Sequence, residues 1–370
     1  MQFSWIFGST LSEESLKSKH VVIIGGGYGG CELAAQLKKQ GVPFTLIDPK
    51  DYFHHNVAAL RAAVFPEWMA KSVIKYKETF GDNFVQGKVT QVDLEAKTVS
   101  IDTDHAPIEF TEVVFAVGSD GPFPGRPMAN QVDTATQEYL GLSEAIEKAN
   151  DIVIVGGGAV GVEIAGEIGD KYNYKKMTLI HPSEFLVHPD FGPKFQTNIK
   201  WALDRHRVRL LLGDRVENLA DLSTGTCLKQ TVKTKKGETI EADLVLKCTG
   251  LAPNTNLTKE IFGEDKFDDQ KRLKVTDRLQ VEGYTNVFAI GDCANTPEHK
   301  MAAHAANHAQ LVVSNLIREL KGEPTKAYVS GSKFLKEIKK YESILLIFSM
   351  IFSLRWDGGD GRELCRCRAV

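Results

Sequence analysis

Glycines 25, 27 and 30 stand in G-x-G-x-x-G spacing directly after the apolar run His20-Val-Val-Ile-Ile24. In such a turn the first glycine permits the tight bend and the second lets the main chain approach a pyrophosphate. The third lets the following helix pack on the strand, and the helix-start amides then face the phosphates. Gly26, Tyr28 and Gly29 complete this loop. A second run, Phe44-Thr-Leu-Ile47, ends at Asp48, 18 residues past Gly30, where a carboxylate can accept hydrogen bonds from a ribose 2′-hydroxyl.

The device repeats. Asp151-Ile-Val-Ile-Val155 leads into Gly156, Gly158 and Gly161, and Met177-Thr-Leu-Ile180 delivers His181 to the acid slot, 20 residues after Gly161. A histidine there removes the usual mark of NAD preference without supplying an evident arginine for a 2′-phosphate, so NADH and NADPH both stay open. Two further segments favour FAD in the first copy. Glu112-Val-Val-Phe-Ala-Val-Gly118 is a strand ending in a small-residue turn, as expected where the chain leaves the first fold. Thr285-Asn-Val-Phe-Ala-Ile-Gly-Asp-Cys293 delivers Gly291 and Asp292 into a loop, where the acid can bond a ribityl hydroxyl and the glycine allows close approach. The alternative for Asp292 is a helix cap before Ala294.

Positioning these residues requires parallel strands alternating with helices. The expected fold is therefore α/β, with two Rossmann-like dinucleotide-binding domains in one chain. The 370 residues are enough for two or three domains, and 42% hydrophobic with 25% charged residues describes a globular chain. A formal charge of −3 lacks the basic excess of a nucleic-acid binder, so DNA is disfavoured as a partner. No apolar run reaches the roughly 18 residues of a membrane span. Met1 to Phe7 lacks the basic region of a signal peptide, and Gln2 stands where N-myristoylation needs glycine. With six cysteines, these features predict a reducing, cytoplasmic setting.

The pattern resembles the pyridine nucleotide–disulfide oxidoreductase superfamily, whose architecture is glutathione-reductase-like. The broad likeness rests on Gly25 to Gly30, Asp48, Val113 to Gly118, Gly156 to Glu163, Cys248-Thr-Gly250 and Val287 to Asp292. A narrower likeness to quinone-reducing apoptosis-inducing-factor homologues rests on Phe53-His-His-Asn-Val-Ala-Ala-Leu-Arg61, Gly118-Ser-Asp-Gly-Pro-Phe-Pro-Gly125 and Leu279-Gln-Val-Glu-Gly283. It covers roughly residues 19 to 328. The resemblance implies FAD on Gly25 to Gly29, with Arg61, Val89 and Asp292 as further contacts. It also implies hydride taken from NADH or NADPH, reduction of ubiquinone-type quinones to radical-trapping quinols, and peripheral association with membranes or lipid droplets.

The residues add their own reading. A disulfide-reductase needs a redox cysteine pair beside the flavin. The first helix offers only Cys31, and no C-x-x-C or C-x₄-C occurs, so electrons pass directly between nicotinamide, flavin and acceptor. Glu163, just inside the second fingerprint helix, is the candidate for positioning the nicotinamide, against the alternative of a first-turn acid favoured by the helix dipole. His54 and His55 sit in a loop that can approach the flavin, with His55 the candidate catalytic group and a solvated histidine the alternative. His181, His188, His299, His304 and His308 show no metal-ligand cluster of convincing spacing, so no metal is expected.

The expected organisation is a first FAD-binding part at 19–120, an inserted NAD(P)H-binding domain at 121–250, the second FAD-binding part at 251–328, and a divergent tail at 329–370. The tail carries Ile344 to Leu354 and Phe334, Leu335, Ile338 and Tyr341 among lysines, readable as a replaced C-terminus or as a membrane contact. An NAD(P)H:quinone oxidoreductase, monomeric or homodimeric, is the leading function. A reductase serving a protein acceptor and a DNA-associated pro-apoptotic flavoprotein are the alternatives.

Overall fold

The computed structural model describes residues 11–330, so Met1 to Phe7 and the tail from residue 331 onward lie outside the described residues. Strand β1 (Val21–Ile24) is wholly buried, each side chain contributing about 1.5–3 kcal/mol by burial. It runs into helix α1 (Tyr28–Gln40), which stops at Gly41 in the left-handed conformation (φ 73°). Strand β2 (Phe44–Asp48) pairs parallel to β1, and helix α2 (Asn56–Ala62) follows the histidine loop. Strands β3 (Phe84–Gln86) and β4 (Glu112–Phe115) then join the same sheet, with a three-stranded antiparallel meander over residues 89–109 between them.

The chain crosses into a second sheet, formed by β5 (Asp151–Val155), β6 (Lys176–His181), β7 (Val208–Leu212), β8 (Cys227–Lys233) and β9 (Thr239–Lys247). Its order is β7-β6-β5-β9-β8, parallel except for the β8–β9 hairpin. Helix α3 (Ala159–Lys171) links β5 to β6. The chain then returns, and β10 (Val287–Ala289) completes the first sheet in the order β10-β4-β1-β2-β3, all parallel. Helix α4 (Ala302–Leu320) closes that half by packing on α1. Outward and return passages meet where Ser119–Asp120 pairs antiparallel with Ala252–Pro253.

Parallel strands covered on both faces explain the near-continuous Val and Ile of β1, β4 and β5. One face of the first sheet packs on α1 and α4 through Leu33, Leu37, Ala309 and Val312, the other on the meander and Phe262. Both fingerprint helices begin inside the glycine motifs, at Tyr28 and Ala159. Gly27 and Gly158 cap them, and the third glycine of each motif already lies inside the helix. No helix among the described residues is long and apolar enough to cross a membrane.

Candidate active site

The two fingerprints repeat one geometry. Gly25 (φ +106°) and Gly156 (φ +115°) adopt backbone that other residues rarely take, and a side chain at either would strike a carbonyl, Ala116 O at 2.5 Å or Cys248 O at 2.1 Å. A Cβ at Gly30 would lie 1.9 Å from Gly25 O, and one at Gly161 1.8 Å from Gly156 O. These four positions therefore weld turn, helix and strand together. Gly27 and Gly158, at the helix caps, have nothing within 4 Å of a Cβ. Each leaves an open cradle at a helix N-terminus, the form a pyrophosphate fits.

The residue that ends the second strand holds each turn. Gly26 donates its amide to Asp48 Oδ2 at 2.6 Å and Lys50 to Oδ1 at 2.8 Å. Burial raises the Asp48 carboxyl above its ordinary value, against those two bonds. In the second copy Gly157 donates to His181 Nδ1 at 3.0 Å, so His181 takes the structural place of the acid. Burial lowers its pKa, and Arg215 lowers it further. The fold thus sets an arginine near enough to act on the charge of His181, which sequence spacing does not reveal.

Asp292 and Gly291 sit in the turn after β10. Gly291 (φ +71°) gives its amide to His308 Nδ1 at 3.1 Å. That leaves the imidazole proton on Nε2, directed at Glu298 Oε1 at 2.8 Å. Burial would raise the Glu298 carboxyl, but bonds from His308, Ser330 and Thr296 outweigh it and hold it well below the usual range. His308 and His304 are both buried on α4. Ser119 donates to Asp292 Oδ2 at 2.6 Å, and Arg126 reaches Ser119 through its carbonyl and hydroxyl at 3.4 Å. Burial lowers the Arg126 pKa while the Asp292 charge opposes that shift. Asp292 therefore faces a serine and an arginine, which a simple helix cap does not require. Gly118 (φ +61°) ends the β4 exit and accepts from Asn254 N at 3.0 Å.

His55 is hydrogen-bonded through Nδ1 to the Tyr28 hydroxyl at 2.8 Å, tying the histidine loop to the first fingerprint, and burial lowers its pKa. It is not simply solvated. His54 is buried beside Tyr52 and Tyr139; burial pushes its pKa down to about 4, and Nε2 has no partner among the described residues. Val89 buries its side chain with Val22 and Ile24, so any cofactor contact there is through main chain.

On α3, Glu163 is part-buried, and burial together with Glu167 pushes its carboxyl up to about 8. A dipole-stabilised surface acid would shift the other way. Buried Glu167, whose pKa burial also raises, has Arg61 Nε 3.9 Å away. The Arg61 guanidinium lies over the Trp68 ring at 4.7 Å. Ser119, Arg126, Glu167 and Glu298 are the site residues that sequence reasoning missed.

The chain belongs to the pyridine nucleotide-disulphide oxidoreductase family. The family matches residues 19–309. Ferroptosis suppressor protein 1 of Taeniopygia guttata is 44% identical over 329 residues, 88% of this chain and 87% of the relative. The Homo sapiens protein of that name is 41% identical over 329 residues, with the same coverage. In fold, the chain is similar to the water-forming NADH oxidase from Lactobacillus brevis bound to NADH, with a TM-score of 0.64 and 21% identity over 84% of this chain and 71% of the other. FAD and NAD(P)H are accordingly its cofactor and co-substrate, and its activity is that of an FAD-dependent NAD(P)H oxidoreductase. The open cradles at Gly27 and Gly158 fit two dinucleotides.

The described cysteines do not resemble a thiol relay. Cys31 is buried with Sγ donating to Gly26 O at 3.1 Å, and burial pushes the thiols of Cys248 and Cys293 up to about 12 and about 11. Serine at position 31 keeps the bond to Gly26. Cys31→Ser is therefore expected to change steady-state turnover by no more than about twofold; a loss of orders of magnitude would establish a thiol in the electron path.

Proposed function

We propose that the chain reduces a hydrophobic, ubiquinone-type quinone to a radical-trapping quinol. The observation that carries direct transfer is a buried Cys31 whose Sγ donates to the Gly26 carbonyl, with burial raising the thiols of Cys248 and Cys293. Kinship with ferroptosis suppressor proteins supports an acceptor whose reduced form quenches lipid radicals. A peripheral contact with a membrane or lipid droplet suits such an acceptor.

FAD held in the first cradle would supply the redox chemistry linking the nicotinamide to the acceptor. Gly25, Gly27, Gly29 and Asp48 would hold its pyrophosphate and ribose, and Gly291 with Asp292 its ribityl chain. Glu163, neutral at pH 7, presents one O–H donor and one carbonyl acceptor. That pair matches the two polar atoms of a carboxamide and orients the nicotinamide. The paired Tyr28 hydroxyl and His55 imidazole hold a proton at Nδ1 or Oη for delivery to a reduced acceptor oxygen.

Steady-state NADH oxidation with a soluble quinone, run against a small iron–sulfur protein, tests the acceptor. Turnover with the iron–sulfur protein alone would establish the protein-acceptor alternative. Cofactor choice has its own test. A neutral His181 beside Arg215 tolerates a 2′-phosphate, so His181→Asp is expected to lower kcat/KM for NADPH at least about tenfold more than for NADH. An equal effect on both would remove position 181 from selectivity.

A further inference from the structure

We propose that His188, Asp190 and His299 form a site for a divalent transition-metal ion of the zinc class, fastening the loop after β6 to the segment before α4. Histidine spacing predicts no such cluster, because the ligands come from two separate parts of the chain. In the fold one ligand atom from each lies within 4.8 Å of the others. Asp190 Oδ2 is 3.5 Å from His188 Nδ1 and 3.2 Å from His299 Nε2. A tetrahedral ion with bonds of about 2.1 Å needs its donors roughly 3.4 Å apart, so two of the three edges are already close to that length.

The donor set selects the ion. Two imidazoles and one carboxylate suit zinc and its neighbours, whereas magnesium and calcium favour all-oxygen shells. The backing is apolar on one side, because Phe191 lies nearly parallel to the His299 ring at 6.1 Å and stacks on Phe195 at 4.5 Å. Asp190 and His188 are exposed, so solution ions have access and a fourth position stays open to water. The His188 Nδ1 lone pair now accepts the Asp190 amide at 3.2 Å, a bond an ion would displace. The rival reading is a carboxylate shared by two imidazoles as ordinary surface ion pairs, which hold nothing when the histidines are neutral.

The test is a zinc competition titration against a chromogenic chelator, on FAD-loaded, chelator-stripped full chain. Cys227, Cys365 and Cys367 are changed to serine in every arm to remove accessible and tail thiols. One Zn²⁺ per chain is expected with micromolar or tighter affinity. His188→Ala/His299→Ala should weaken it by about 100-fold or more and abolish the zinc-dependent rise in Tm, with millimolar Mg²⁺ failing to compete. Asp190→Asn, expected to weaken it about tenfold, serves where the double variant loses FAD. Equal zinc affinity in wild type and variants, displacement by Mg²⁺, or no binding at roughly 100 μM free Zn²⁺ would overturn the proposal.

Discussion

Glu163→Ala is expected to slow NADH-driven flavin bleaching by about 100-fold while FAD stays bound. Two hydrogen bonds to a carboxamide contribute roughly 2–3 kcal/mol together, and each 1.36 kcal/mol is tenfold in rate. Glu163→Gln keeps one donor and one acceptor in the same shape, so it should retain most of the rate. The pH profiles then separate the two. The wild-type carboxyl titrates near 8, and ionisation removes its donor, so its rate falls as pH rises through about 8, whereas Glu163→Gln stays flat. Stability follows the same sign. The folded state holds this proton to higher pH than the unfolded chain, whose value is near 4.5, so stability is full below about 4.5 and declines towards 8. Glu163→Gln should flatten that decline, read as urea midpoints at pH 5 and pH 8. Stopped-flow bleaching by Glu163→Ala at the wild-type rate would remove this residue from the mechanism.

The parts of the fold legible in the sequence are those fixed by local sterics. Gly25 and Gly30 must both lack side chains because turn and helix touch within six residues, and that constraint appears directly as spacing. The same holds for Gly156 and Gly161. Buried parallel strands read as unbroken Val and Ile because both faces are covered. What stayed hidden depends on long-range approach. Ser119 meets Asp292 across 173 residues, and Glu298 reaches His308 only because the segment before α4 folds back on that helix. Arg215 lies one strand beyond the position where a cofactor-selecting arginine is usually sought. His188 and His299 stand 111 residues apart, so no ligand-type spacing relates them. Val89, which the resemblance implies as a cofactor contact, has its side chain in the core, leaving only main chain for a ligand.

Asp292→Ala is expected to weaken FAD binding by at least about 100-fold, and two losses add to give that figure. The first is the charge-assisted hydrogen bond to a ribityl hydroxyl, worth roughly 1.5–3 kcal/mol. The second is electrostatic: Arg126 is part-buried with a lowered pKa that the Asp292 charge counteracts, so alanine removes the charge that most opposes that shift. Asp292→Asn separates them, because the amide still accepts from Ser119 and from a ligand hydroxyl but supplies no charge. It should fall between wild type and alanine. His308→Ala provides an independent check from the other side of the turn. It removes the acceptor for the Gly291 amide, so it should loosen FAD without touching either charge. Flavin content after exhaustive dialysis, followed by FAD titration of the stripped proteins, reads all three variants. An alanine variant that keeps one FAD per chain with unchanged affinity would return Asp292 to the role of a helix cap, and the ribityl contact would have to come from another side chain of the turn.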